Sequence, residues 1–284
     1  MKLRNSKNLF KKTIKKIPLA SQTFSKSYLF FDKKYSPLFS AKGDKQFIFD
    51  VDGNKYLDLI NGLGSVSIGY NISSINKKIS AGLNNGITFS LSHPLELEAA
   101  KQISSCVKSA QMIRFGKNGS DATSAAIRLA RHYTKRNKIA VCGYHGWHDW
   151  YISSTSMNGG IPNYINKDID KFEFNNIQSL EKLLKKNKYA AIIIEPLSID
   201  LPKNNFLKKV ETLCKKNKAL LIFDEICTGF RVSMGGAQKI YNVNPDLTTL
   251  GKGIANGMPM SALVGKKRIM NNAKNIFFSG TFGG

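Results

Sequence analysis

From residue 95 onward the chain alternates short apolar runs with amphipathic stretches, and this alternation restricts the fold more than any other feature. LELEAAKQISSCV, SDATSAAIRLARHY, IQSLEKLLKK and FLKKVETLCKK carry apolar residues at helical spacing. Among them fall MIRFG, KIAVCG, YAAIIIEP, ALLIFDE, LTTLGKG and SALVG. Their apolar cores of about four to six residues read as strands buried on both faces, and connections long enough to hold a helix let neighbouring strands run parallel. The order predicts an α/β architecture with a mostly parallel central sheet covered by helices on both sides.

Upstream the pattern differs. QFIFDVDGNKYLDLI, residues 46–60, alternates apolar and polar residues around DGN, a β-hairpin signal. DVDGN evokes a calcium loop, but Gly53 falls at the fourth loop position rather than the sixth, and Asn61 stands where the closing glutamate is required. The expected organisation is an N-terminal segment, 1–75, with the hairpin as part of a small α+β domain, followed by a large α/β domain over 76–284.

With 42% hydrophobic residues in 284, the chain can bury a substantial core. Its 43 Lys plus Arg against 19 Asp plus Glu give a net charge of +24, which alone would suggest a polyanion such as nucleic acid. The lysines are scattered, however: KKTIKKI (11–17), KLLKKNK (182–188) and CKKNK (214–218) sit on helix faces and helix ends. No helix-turn-helix spacing or RNA-binding aromatic pattern accompanies them, so a solvated surface is preferred, with a basic nucleic-acid-binding module as the alternative. The four cysteines are far apart and form no CxxC pair, which fits a reducing compartment. The basic N-terminus has no continuous apolar segment and no run approaches the roughly 18 apolar residues of a membrane span, so a cytoplasmic protein without membrane contact is expected.

Ligands of such sheets gather beyond the carboxyl ends of the strands, which selects five loops. GKNGSDA (116–122) opens a helix after a strand: Gly119 permits close backbone approach, while Ser120 and the free amides of the first turn suit a phosphate or form an ordinary cap. CGYHGWHDW (142–150) offers His145, His148 and Asp149 as metal ligands, but their spacing is a weak match, and Tyr144 is better explained by stacking on a flat ring. No metal is expected. IEPLS (194–198) places Glu195 just after a strand. FDEICTGF (223–230) resembles a Walker B segment, yet no GxxxxGK[ST] partner occurs, so the nucleotide-hydrolase reading falls. Asp224, at the end of a dry strand, instead implies a fixed cation nearby, for which a protonated ring nitrogen would serve.

LGKGIANG (250–257) misses the dinucleotide fingerprint, because its glycines are spaced GxGxxxG. Lys252, flanked by two glycines, can be approached by a planar ligand, and a lysine beside an aldehyde forms a Schiff base. A phosphate loop, a stacking aromatic, an acid for a pyridinium and a Schiff-base lysine are together the parts of a pyridoxal phosphate enzyme.

Through DVDGNKYLD, NGSDATSAAIRLAR, YHGWHD, IIIEP, LIFDEICTGFR, LTTLGKGIANGMP and SGTFGG, the chain resembles the class III, fold type I, pyridoxal phosphate aminotransferases, and among them the glutamate-1-semialdehyde aminomutase branch. The resemblance implies a fold type I large domain and amino-group transfer from a small-molecule amino donor to an aldehyde or ketone acceptor. It makes Lys252 the Schiff-base lysine, Asp224 the partner of the pyridine nitrogen, Gly119 and Ser120 the phosphate cup, and Tyr144 and Ile226 the residues on the two ring faces. Glu195 then lies near the ring hydroxyl. Thr281 matches a threonine that reaches the phosphate of a neighbouring subunit's cofactor, which implies a homodimer. Leu63 stands where that branch has tryptophan, which leaves ordinary transamination open beside aminomutase activity. Family members continue into a C-terminal small domain, so the chain is expected to be truncated. A Rossmann-like oxidoreductase is the remaining alternative, motivated by the parallel sheet and GKGIANG.

Overall fold

The computed structural model describes residues 2–283, and the chain divides into two compact units between Ile87 and Thr88. In the first unit, strands β1 (Ser40–Asp44), β2 (Phe47–Asp50) and β3 (Lys55–Leu57) make an antiparallel meander, the expected hairpin being β2–β3. The helix Ser73–Leu83 belongs to this unit.

The acids of DVDGN are consumed by hydrogen bonds. Asp50 accepts from the Asp52 and Asn54 amides at 2.9 and 2.8 Å, and from Asn54 Nδ2 and the Tyr56 hydroxyl at 2.8 Å each. Asp52 caps the distant helix Arg4–Thr13, accepting from the Asn5 and Ser6 amides at 2.7 and 2.8 Å. A carboxylate at a helix N-terminus satisfies donors that have no partner inside the helix and meets the positive end of its dipole.

The second unit holds a seven-stranded sheet: β4 (Met112–Gly116), β5 (Ile139–Cys142), β6 (Ile169–Lys171), β7 (Ala191–Ile194), β8 (Leu220–Asp224), β9 (Leu247–Leu250) and β10 (Ser261–Gly265). The order is β4-β10-β9-β8-β7-β5-β6, and every neighbouring pair is parallel except those made by β10, which runs antiparallel to both β4 and β9. The mostly parallel α/β sheet predicted from the apolar alternation is therefore present. Its alternate residues feed two cores. Val141, Ile193, Ile222 and Leu263 pack with Ala126, Leu129 and Ala130 of the helix Gly119–Thr134. Ile192, Ile194, Leu221 and Phe223 pack with Leu180 of the helix Ile177–Lys186 and with Leu207, Val210 and Cys214 of the helix Phe206–Lys216. Periodicity did not reveal the short edge strand β6 or the reversed direction of β10.

Candidate active site

The central parallel strands end in step. Cys142 pairs with Ile194, Ile194 with Phe223, and Asp224 with Thr249, so the loops after β5, β7, β8 and β9 leave the sheet along one edge. Asp224 is the last residue of β8 and only 3% exposed. It sits 2.8 Å from His145 Nδ1 and accepts from Thr249 Oγ1 at 3.0 Å and the Ile226 amide at 3.2 Å. A carboxylate only accepts, so the bond to an ionised Asp224 requires the His145 tautomer that carries its proton on Nδ1. His145 is itself 1% exposed, its ring edge-on to Tyr151 and parallel to Trp150.

Lys252 follows β9 in a left-handed conformation, φ +46°, uncommon for a residue with a side chain. Its Nζ donates to Cys227 Sγ at 2.6 Å. Ile226 packs on two glycines: a Cβ on Gly119 would meet its Cδ1 at 2.7 Å, and one on Gly251 would meet its Cγ2 at 3.3 Å. Ser120 Oγ accepts from the Trp147 amide at 3.2 Å, and Thr123 Oγ1 donates to the His145 carbonyl at 2.8 Å. These bonds tie the start of the 16-residue helix Gly119–Thr134 to the aromatic loop, placing its free amides at the same edge of the sheet.

Glu195 accepts from the Tyr144 amide at 2.8 Å. Burial pushes its carboxyl above the usual carboxylate range; that bond opposes the shift, the charge of Asp224 adds to it, and His145 and Lys252 oppose it. Burial likewise raises the Tyr144 phenol, against the pull of Lys252 and with the push of Glu195 and Asp224. The two acids, the phenol and the amine therefore feel one another's charge across the cluster.

The structure thus gathers Lys252, Asp224, Tyr144, Glu195, Ile226, Gly119 and Ser120 at one edge. Thr281 does not join them: it is exposed and lines a separate cleft of about 340 Å³ with Lys117, Arg128 and His148. His145 and His148, weighed as metal ligands, hydrogen-bond to Asp224 and Ser124 instead. Sequence reasoning missed four contributors. His145 was legible as a polar residue in a strand-end loop, but its partner was not. Thr249 needed the β8–β9 register to be seen. Cys227 and the fully buried Glu225 were read only as parts of a motif. Glu225 accepts from the Ala237 and Gln238 amides at 2.6 and 3.0 Å, from Gln238 Nε2 at 3.1 Å and from Thr228 Oγ1 at 2.8 Å. It thereby pins the turn that carries Ile226 and Cys227.

Comparison with known proteins bears on this edge of the sheet. The aminotransferase class-III family description matches residues 30–284. The chain is 39% identical, over 99% of its length, to 3-aminobutyryl-CoA aminotransferase of Cloacimonas acidaminovorans (strain Evry), of which it covers 70%. It is 42% identical, over 90% of its length, to glutamate-1-semialdehyde 2,1-aminomutase of Wigglesworthia glossinidia brevipalpis, of which it covers 64%. The chain therefore spans roughly two thirds of the length of these relatives. Among solved structures, the FumI protein of Sphingopyxis sp. MTA144, in its PLP internal aldimine form, superposes with a TM-score of 0.92 at 29% identity, covering 98% of this chain and 68% of that one.

Proposed function

The chain belongs to the class III aminotransferase family, and from that premise we propose that it transfers an amino group between a small-molecule amine and an aldehyde or ketone, with pyridoxal 5'-phosphate joined to Lys252. The residues present fit that cofactor. A buried carboxylate at Asp224 suits a protonated ring nitrogen, and the start of the helix Gly119–Thr134 suits a phosphate. Ile226 packs where a Cβ on residue 119 would stand, so its placement depends on that glycine. The observation that carries the reading is the meeting of the Lys252 amine, the Asp224 carboxylate and the Glu195–Tyr144 pair at one edge of the sheet.

When bound, the cofactor supplies an aldehyde that condenses with amines and a ring that withdraws electrons from the carbon bearing the nitrogen. The chain's own residues do the rest. Lys252 Nζ is the nucleophile that anchors the cofactor and, once released, the base that carries a proton at the substrate carbon. Asp224, held in place by His145, Thr249 and the Ile226 amide, would accept from the ring nitrogen. Tyr144 and Ile226 would confine the ring faces, Gly119 and Ser120 would hold the phosphate, and Glu195 would serve the ring hydroxyl.

Supporting the choice over a nicotinamide oxidoreductase, GKGIANG does not open a long helix: Lys252–Ala255 is a single 3-10 turn. The relatives include both an aminotransferase and an aminomutase, and Leu63, where the aminomutase branch has tryptophan, leaves ordinary transamination open beside aminomutase activity. We further propose a cytoplasmic homodimer in which Thr281 serves the neighbouring subunit's phosphate, and an N-terminal segment that belongs to the small domain. Among the described residues no helix is long and apolar enough to cross a membrane.

The test is spectroscopic. The chain mixed with pyridoxal phosphate is expected to develop a near-ultraviolet to violet band that survives desalting and is absent from Lys252→Ala. A wild-type chain that acquires no such band sinks the proposal.

A further inference from the structure

Two nucleophiles meet in this structure where one suffices for the chemistry: the amine of Lys252 and the thiol of Cys227, at 2.6 Å. Cys227 is half-buried and forms no disulfide. Its backbone is fixed from both sides. Arg231 Nε donates to the Cys227 carbonyl at 2.9 Å, and the next residue, Thr228, is tied through its hydroxyl to the buried Glu225 at 2.8 Å. The Gly229 amide also donates to the Glu225 carbonyl at 2.8 Å, closing the turn.

The lysine reaches this turn through its own unusual backbone. A residue with a side chain held at positive φ is strained and persists where the surroundings over-determine it. Gly251, extended at φ −173°, lies against Ile226, and the left-handed Lys252 that follows is bonded to the thiol next to Ile226 in sequence. Strain on one strand end and a pinned turn on the neighbouring one thus converge on a single N–S contact.

We infer that Cys227 is a positioning residue for Lys252: its sulfur holds the amine at the sheet edge until the cofactor aldehyde takes it. This rests on the function proposed above, but the pair can be tested without cofactor. An ammonium that donates into a sulfur makes that sulfur more reactive toward alkylating agents. The 284-residue chain, free of pyridoxal phosphate, is treated with iodoacetamide, and the alkylation of Cys227 and of Cys106, the other partly exposed cysteine, is followed by peptide mass spectrometry. Lys252→Met is expected to slow alkylation of Cys227 by about threefold or more, leaving Cys106 unchanged. Equal rates at Cys227 with and without the lysine overturn the inference.

In a second arm, growth of the cofactor band is timed. Cys227→Ala is expected to slow it about tenfold, because a misaimed nucleophile loses its oriented approach, and Cys227→Ser, which restores an acceptor, to recover most of the rate. Capture by Cys227→Ala at the wild-type rate overturns the inference too. A wild-type chain with no band defeats the proposed function alone, since the alkylation arm still decides the pair. That arm also keeps residue 227 native, so it stands if the alanine variant fails to fold.

Discussion

The two units stabilise themselves by different means. In Met1–Ile87, Leu3 and Val66 are the buried apolar residues among those described, while Leu59 is 82% exposed and Phe30, Tyr35 and Ile68 are mostly exposed as well. Order there comes from carboxylates that collect backbone amides. Asp50 serves the hairpin and Asp52 the first helix, while Asp58 accepts from the Ile60, Asn61 and Gly62 amides and the Tyr70 hydroxyl. In Thr88–Gly284 the sheet is packed on both faces by apolar side chains, and buried acids gather at one edge. The difference teaches where reactive groups can be kept. Desolvated acids and a strained lysine need a scaffold that does not relax around them, and dense apolar packing supplies it.

The largest effects are expected in the second unit. Asp224→Asn, which keeps the shape but loses the charge proposed to face the ring nitrogen, should lower turnover by about 10²- to 10³-fold in steady-state assays of amino transfer, while thermal unfolding of the first unit stays unchanged. Loss of function accompanied by unfolding of both units would erase the contrast. Gly119→Ala places a Cβ 2.7 Å from Ile226 Cδ1, so a destabilisation of about 1–3 kcal/mol is expected from denaturant midpoints, together with weaker cofactor retention.

Acid should act on the units with opposite sign. Burial alone would raise Asp50 and Asp58, but the Asn54 and Tyr56 bonds to the first and the Tyr70 and backbone bonds to the second outweigh it, so both lie below the usual carboxylate range. A depressed carboxyl contributes stability that is present above the unfolded value, near ~4, and is lost as pH falls through the folded one. Glu195 and Glu225 are raised, chiefly by burial, and a raised carboxyl weakens the fold as pH climbs from the unfolded value through the folded one. Scanning calorimetry on acidification from neutrality is expected to show the second unit gaining stability from Glu195 and Glu225 and the first holding level, with the first failing only below the unfolded carboxyl value of ~4. Parallel curves would count against the assignment. The smallest effect is expected from Asp52→Ala, which removes the cap on Arg4–Thr13 and should cost about 1 kcal/mol, seen as a small loss of helical circular dichroism on mild heating.

Much of the second unit was legible because burial on both faces forces apolar runs: each of the six runs singled out in the sequence became a strand, and four of the amphipathic stretches became helices. The first unit was less so. QFIFDVDGNKYLDLI announced its hairpin, but β1 (SAKGD) has no apolar pattern, and its pairing with β2 comes from backbone bonds that side chains do not advertise. At the site, Lys252, Asp224 and Tyr144 were visible because an amine between glycines, an acid ending an apolar strand and an aromatic in a strand-end loop are each locally odd.

By itself the sequence determined which residues lie in strands buried on both faces, and therefore which loops share the carboxyl edge of the sheet, because apolar periodicity and chain connectivity are local properties. Only the tertiary structure decided that β10 runs against its neighbours, that Thr249 and His145 close on Asp224, and that Lys252 leans on Cys227. Those contacts join residues from 25 to 79 positions apart, and only the register of the folded strands brings them within hydrogen-bonding distance.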